Sequence, residues 1–457
     1  MRSVALLSLL LGAAQVWSVP AWAALVDSSS SPSGSLLAEG RTKRSALEPT
    51  AERQLGTVSR PSASKARDAA RAKRSDRVGM QIPAELRRVF EAKIEQRITR
   101  DVAEIAKLRR EAIKLLDAFI AETPEQAREM PEALLRLAEL QWEVARDDFL
   151  ARFKRWEATP ADERTDPPTP DYATPRRNIA RVLKSHPGYR EYDLALYIDG
   201  FLANEQGNFE ESLERFNQIL SNYPRSRFTA DAHMMRAEAE FLKDAPNYEA
   251  AFQEYEAVLA YKDSELHDIA LFKSAWTLWR LGRNEEAARR FLSVFRATAE
   301  RERAPSLKRR AELDELQAEA LRNLVSVFVE DENNTADDMY GFLVKAGGEK
   351  FAGQIVRALA DALFEQAHYE RGVEAYRLLL KLEPTAPEAY RHALAIASGH
   401  STMGMWGELY KDYQMILAQY TTPLPTKNKR PQASAWVQVQ NLGTLATAEQ
   451  AIREQIY

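Results

Sequence analysis

The 457-residue chain has no cysteine. Disulfides, thiolate zinc sites, iron–sulfur clusters and a cysteine nucleophile are thereby excluded. Glycine (18) and proline (21) are both scarce for the length, which argues against collagen-like sequence and against an all-β chain needing many glycine turns. The six histidines, at 186, 233, 267, 368, 392 and 400, include no i, i+4 pair and no HExxH, so metallohydrolase geometry has no support. GxSxG, GxxxxGKS/T and GxGxxG are missing too, and with them the nucleophile elbow and the phosphate cradles. Charge of one sign is also lacking. A net of −4 makes nucleic acid a poor partner for the whole chain.

What remains favours helix. Ala, Leu, Glu and Arg dominate long stretches, and these side chains lose little rotamer freedom in a helix. Hydrophobic residues at 45% and charged residues at 28% are a soluble globular mix. The length allows three ordinary domains or one long repeat array.

Residues 1–23 have the layout of a secretory signal peptide. Arg2 is the positive start, Val4–Ala14 the apolar run, and Ala21-Trp22-Ala23 the small-x-small cleavage site. The run is shorter than the ~20 residues that span a bilayer, and no later stretch is apolar enough to do so. Without cysteine the chain cannot be a lipoprotein. Residues 24–80 form a Ser/Ala/Arg linker with eleven Lys/Arg to six Asp/Glu. It has too little apolar surface to offset ordering entropy, so disorder is expected. Its clusters Arg41-Thr42-Lys43-Arg44 and Arg71-Ala72-Lys73-Arg74 offer a peripheral contact to an anionic wall or membrane surface.

The body repeats one pattern: an apolar helix, a short break, a second apolar helix, and often a proline. Leu194–Pro224 is the clearest instance. Leu196, Gly200 and Ala203 share one face of the first helix, Gly207 ends it, and Phe209 opens the second. Ser212, Phe216, Ile219 and Leu220 make that helix's apolar stripe, and Pro224 blocks its extension. Four more segments align with it: Ala239, Tyr248, Ala251, Tyr255 and Val258; Ala275, Gly282, Ala287, Phe291 and Val294; Ala360, Tyr369, Gly372, Tyr376, Leu379 and Pro384; and Ala397, Trp406, Tyr413 and Ile416. The breaks fall at 207, 246, 282, 367 and 404, and the wide gap before 367 fits an additional unit at Leu316–Glu330 and Asp337–Ala346. This resembles the tetratricopeptide repeat, a unit of about 34 residues with small and aromatic residues at these offsets. The resemblance implies an all-α fold, a right-handed superhelical solenoid of antiparallel helix pairs over 131–420.

Upstream, Ala84–Ala121 reads as one long charged helix, and 81–130 as that helix with a capping half-repeat. Its last turns, through Ala112, Leu116, Phe119 and Ile120, mimic a repeat's second helix. Pro131–Trp142 and Ile179–Pro187 form one repeat split by an insertion at about 146–176, rich in proline at 160, 167, 168, 170 and 175. Residues 421–457 are a linker and a final helix. That helix either packs back as a cap or is cut off from its partner, and the pattern favours truncation. Asp331–Thr335 starts like a calcium loop, but Ala336 replaces the required glycine and Phe342 the bidentate Glu, which leaves a polar interhelix loop. The acidic pairs Asp147-Asp148 and Asp337-Asp338 read as solvated surface.

In repeats of this family the free side chains of first helices line a concave groove where ligands lie. The resemblance places Arg136 and Trp142 there, then Tyr197, Phe201 and Asn204, then Arg236, Glu240 and Lys243. Phe272, Trp276, Trp279 and Arg280 follow, and Arg357 comes last. Trp276 and Trp279 beside Arg280 stand out, because Trp and Arg are the commonest interface anchors; the competing reading is that the tryptophans fill space between repeats. The pairs Tyr197/Phe201, Arg236/Glu240 and Phe272/Trp276 depart from the Lys and Asn that clamp a chaperone's terminal carboxylate, so that ligand is not implied.

Two classes of function follow. One is a non-catalytic protein-interaction scaffold without cofactor or metal, exported to the periplasm or outer membrane of a Gram-negative bacterium. The texture of residues 84–420 resembles periplasmic tetratricopeptide proteins of gliding-motility and envelope-spanning trafficking machinery, which implies other envelope proteins as partners. The alternative is the helical platform of a cell-wall enzyme similar to lytic transglycosylases, without their Glu-Ser pair or Gly-Leu-Met-Gln-like segment, or an accessory of peptidoglycan or outer-membrane assembly.

Overall fold

The computed structural model describes residues 84–299, 307–423 and 432–456, with side chains from Phe90 onward apart from 91 and 307–308. The expected signal peptide and basic linker lie outside the described residues, as does most of Thr421–Pro431. Packing divides the chain into 1–111 and 112–457. The described part of the first unit belongs to a single helix, α1 (Ala84–Glu122).

The second unit is an array of helices. In order they are α2 (Met130–Ala158), α3 (Ala173–Ser185), α4 (Tyr192–Glu205), α5 (Phe209–Asn222), α6 (Thr229–Leu242), α7 (Tyr248–Leu259), α8 (His267–Arg280) and α9 (Asn284–Ala299). There follow α10 (Leu307–Glu330), α11 (Ala336–Lys345), α12 (Ala352–Glu365), α13 (Tyr369–Leu382), α14 (Ala389–Thr402), α15 (Trp406–Tyr420), α16 (Ala435–Val439) and α17 (Leu442–Ile456). No strand occurs among the described residues. From α2 to α10, and again from α12 to α15, each helix packs on the next one in sequence. That is the contact pattern of stacked hairpins.

The turns explain how the hairpins close. At Gly207, Gly282 and Gly404 the backbone enters the left-handed region, with φ of 80°, 74° and 71°. In each case the next amide reaches back to a carbonyl five residues earlier: Asn208 to Ala203, Arg283 to Leu278, Met405 to His400, all at 2.8–2.9 Å. This closes the open end of the first helix. Gly347 (φ 71°) makes the same turn after α11, with the Gly348 amide on the Leu343 carbonyl at 2.7 Å, and a further one has Ala367 at φ 62°, where the methyl crowds the following carbonyl. Between hairpins a second device recurs. His186, Tyr223 and Glu383 cap α3, α5 and α13 with nearly the same φ/ψ, about −130° and 55–60°. Each precedes a proline, whose ring excludes the helical conformation there.

The expected packing faces are largely the buried ones. Ala251, Tyr255, Val258, Ala275, Ala287, Phe291, Ala360, Leu379, Ala397 and Ile416 are sealed in the core. Gly200 fits because a Cβ there would stand 3.0 Å from the Cβ of Arg215 and 3.2 Å from the Phe216 ring. Phe209 and Trp406, which open the second helices α5 and α15, are 60% and 67% exposed. Leu220, Ala239, Tyr248, Tyr369 and Tyr413 are half-buried.

Irregular parts are held by polar contacts. The insertion after the long α2 is pinned by Trp156 Nε1 donating to the Thr165 carbonyl (2.7 Å) and Arg152 donating to the Thr169 carbonyl (3.2 Å). It ends at Tyr172, which is buried. Helix α11 starts from a capping box: Thr335 Oγ1 accepts from the Asp338 amide while Asp338 accepts from the Thr335 amide. The Asp331–Thr335 segment is thus a polar loop between α10 and α11, as expected, and its last residue caps α11. Helix α17 packs on α14 and α15, burying Ala448 and Ile452 beside Trp436 and Tyr420.

Charged groups inside the array tie neighbouring helices. Asp199 of α4, 2% exposed, accepts from Arg176 Nε of α3 (2.9 Å) and Arg215 Nε of α5 (2.8 Å). Asp231, in the first turn of α6, accepts from the Tyr197 hydroxyl (3.3 Å). Burial raises its pKa to about 6, against which the Tyr197 hydrogen bond works.

Two stability changes are expected. Ala367→Gly removes the left-handed strain and should stabilise the chain by about 0.5–1 kcal/mol, whereas Gly207→Ala should destabilise it by about 1 kcal/mol; urea midpoints measure both. Asp231 favours the proton in the folded state, so stability is lost as pH climbs from about 4 through 6. Asp231→Asn should therefore add about 1–2 kcal/mol at pH 7.5 and little at pH 3.5, measured by urea unfolding at the two pH values.

Candidate functional site

Helix α8 brings together the strongest candidates. Its sequence HDIALFKSAWTLWR buries Ala270, Phe272, Ser274, Ala275, Thr277 and Leu278, so Trp276 and Trp279 fall at the edge of the buried face. Both are half-buried. Their rings lie 5.0 Å apart at 38°, and each stands edge-on to Phe291 of α9, at 6.4 and 6.3 Å. Trp279 Nε1 donates to Glu330 Oε2 of α10 at 2.6 Å. Arg280, on the exposed last turn, donates from Nε to the Tyr248 hydroxyl of α7 at 3.1 Å. Its guanidinium lies 5.3 Å from that ring's centroid. One side of the tryptophan pair fills space against Phe291 and the other meets solvent.

This arrangement is a fixed aromatic and cationic surface spread over α7, α8, α9 and α10. The rings are immobilised from behind, so little rotamer entropy is left to lose when a ligand covers them. Tyr248, Phe291 and Glu330 complete it. The sequence pattern places Tyr248 at the opening of a second helix and Phe291 in a buried stripe, and it passes over Glu330, which lies 51 residues from its Trp279 partner. No local spacing reveals a contact of that range.

Four other candidates are corrected. Trp142 (2% exposed), Tyr197 (4%), Phe201 (7%) and Phe272 (5%) belong to the core. Trp142 stands edge-on to Phe201 at 6.5 Å, and Tyr197 stacks on Phe228 at 4.4 Å. Phe272 meets Phe291 at 5.6 Å. An apolar ring on a first helix gains more by entering the interface between hairpins than by facing water, so these rings are unavailable to a partner.

The remaining candidates are at least partly accessible. On α6, Arg236 pairs with Glu254 of α7 (2.9 Å), which also bonds His233 Nδ1 (2.8 Å), and Glu240 pairs with Lys243 (2.5 Å). Arg136 is exposed and pairs with Glu139 on its own helix (2.8 Å). Glu139 itself is buried, and that burial raises its pKa against the pull of Arg136. Asn204 is half-buried at the end of α4. Arg357 of α12 is half-buried beside Tyr376 and His392. Burial, with Arg357 adding to it, lowers the His392 pKa to about 4, so its ring is neutral at pH 7.

One buried polar group has the look of catalytic hardware. His400 Nδ1 lies 2.5 Å from Asp412 Oδ2, and Arg377 Nη2 lies 3.3 Å from Nε2. A guanidinium thus occupies the nitrogen that would have to take a nucleophile's proton. The chain Arg377–His400–Asp412 joins α13, α14 and α15. No group of His, Asp and Glu suited to holding a metal ion occurs among the described residues, and no described helix is long and apolar enough to cross a membrane.

A tetratricopeptide-repeat family model matches residues 195–226, which run from α4 through α5 and the turn after it. No curated protein matches the chain. Among solved structures, the C-terminal part of a TPR repeat-containing protein from Cytophaga hutchinsonii is 12% identical, covering 64% of this chain and 98% of its own, with a TM-score of 0.32. MamA protein is 18% identical over 42% of this chain and 92% of its own, with a TM-score of 0.21. The chain is a helical repeat protein that contains a tetratricopeptide repeat.

Proposed function

We propose that this protein is a non-catalytic scaffold that holds segments of other proteins against the first helices of its array, with Trp276, Trp279 and Arg280 as the main anchors. The observation that carries the reading is the braced surface on α8: two half-buried tryptophans fixed by Phe291 and Glu330 beside a cation fixed over Tyr248. Rigid aromatic rings next to arginine are the composition of interface hot spots. Tetratricopeptide repeats mediate protein–protein interaction, which agrees with this use. Arg236 and Glu240 on the neighbouring first helix α6, with Lys243 just past its end, supply the polar border; the right-handed superhelix and its concave groove belong to the same proposal.

The proposed setting is the envelope of a Gram-negative bacterium, in the periplasm or at the outer membrane, with other envelope proteins as partners in a trafficking or gliding-motility complex. Support for this comes from the signal-peptide layout of Met1–Ala23 and from the family texture of residues 84–420.

Affinity capture from envelope extracts with wild type and a Trp276→Ala/Trp279→Ala/Arg280→Ala variant tests the site. The variant is expected to keep its helical circular dichroism and to lose at least tenfold in partner yield. Equal yields from a folded variant would place binding elsewhere. Recovery of the wild type in the cytoplasmic fraction would contradict the envelope setting.

A further inference from the structure

Within residues 84–111, helix α1 carries an uncovered apolar stripe. Phe90, Ile94, Ile98, Val102, Ile105 and Leu108 recur every three or four residues, and each is 55–59% exposed. Aliphatic side chains repeated once per turn in water are costly, and a helix draws most of its stability from packing such a face. A mate is therefore needed.

The composition says what kind. The stripe is narrow, β-branched at 94, 98, 102 and 105, and bordered by charges of both signs: Lys93, Glu95, Arg97, Arg100, Asp101 and Glu104. A helix lying on a membrane has a strongly basic polar face instead, whereas α1 holds nine Lys/Arg and eight Asp/Glu. A narrow β-branched seam between mixed charges is the make-up of a coiled coil. The chain's own residues 24–80 are too polar to provide the second strand.

The charges also select a register. Carried along the helix, the spacing continues through Ala112, Leu115, Leu116 and Phe119. Laid antiparallel on a copy of itself with Ile105 at the centre, the helix sets Val102 against Leu108, Ile98 against Ala112, Ile94 against Leu115 and Leu116, and Phe90 against Phe119. Lys93 then falls beside Asp117, Glu95 beside Lys114, and Asp101 beside Arg109. Arg100 and Arg110 meet with like sign, as do Arg97 and Lys114, against the three opposite-sign pairs. We infer that α1 pairs with α1 of a second copy as an antiparallel coiled coil centred on Ile105.

The absence of cysteine makes the test clean. In the full chain, Ile105→Cys is expected to cross-link into a disulfide dimer on mild oxidation, and Ile94→Cys is not, since its two copies would stand ~33 Å apart at 1.5 Å per residue. Wild type should show twice the monomer mass by light scattering at micromolar concentration, and an Ile98→Asp/Ile105→Asp variant the monomer mass. A monomeric wild type overturns the inference. Equal cross-linking of the two cysteines means parallel pairing and overturns it as well. So does a monomer that binds phosphatidylglycerol vesicles through this face.

Discussion

A helical hairpin of this chain cannot bury its apolar surface alone, and the rest of the structure depends on that constraint. Each second helix covers one side of its first helix, and the other side waits for the next hairpin. The core is accordingly a running seam. One continuous cluster of buried side chains extends from Phe272 and Ala275 of α8 to Ile396 of α14, taking in every helix between. Polar side chains follow the same logic. Asp199 holds α3 and α5 to α4, and the Arg377–His400–Asp412 chain holds α13, α14 and α15. The buried carboxylates Asp199 and Asp412 are partnered across helix boundaries because an unpaired charge in such a seam would be strongly unfavourable.

The seam decides which first-helix residues are left for a partner. Aromatic rings at Trp142, Tyr197, Phe201 and Phe272 are taken into it. Trp276 and Trp279 stop halfway, because Phe291 already fills the space behind them. Binding surface and structural interface are thus the same side chains seen from two sides. The array can be sequence-tolerant on its open face while the backs of the same residues stay fixed by packing.

Much of the fold was legible because the turns are written in single residues. Glycine at 207, 282 and 404 marks the turns inside hairpins and proline at 187, 224 and 384 the junctions between them, and the structure uses each for a defined backbone state. Alanine at 367 was legible only by register, since nothing about alanine announces a left-handed turn. The candidate site was read less well. Periodicity tells which face of a helix is apolar but not how far the next hairpin overlaps it. First-helix rings were therefore assigned to an open surface that packing closes. Glu330 and Tyr248 reach the α8 cluster from other hairpins, which a linear pattern cannot show.

Native-state hydrogen exchange by mass spectrometry tests most directly whether stacking on both sides is what stabilises each hairpin. If it is, protection in 112–457 is greatest in the interior helices α6 to α9 and falls hairpin by hairpin toward α2 and α17. A single protection level shared by all helices, with one global opening, would mean that a common core and not neighbour stacking holds the molecule together.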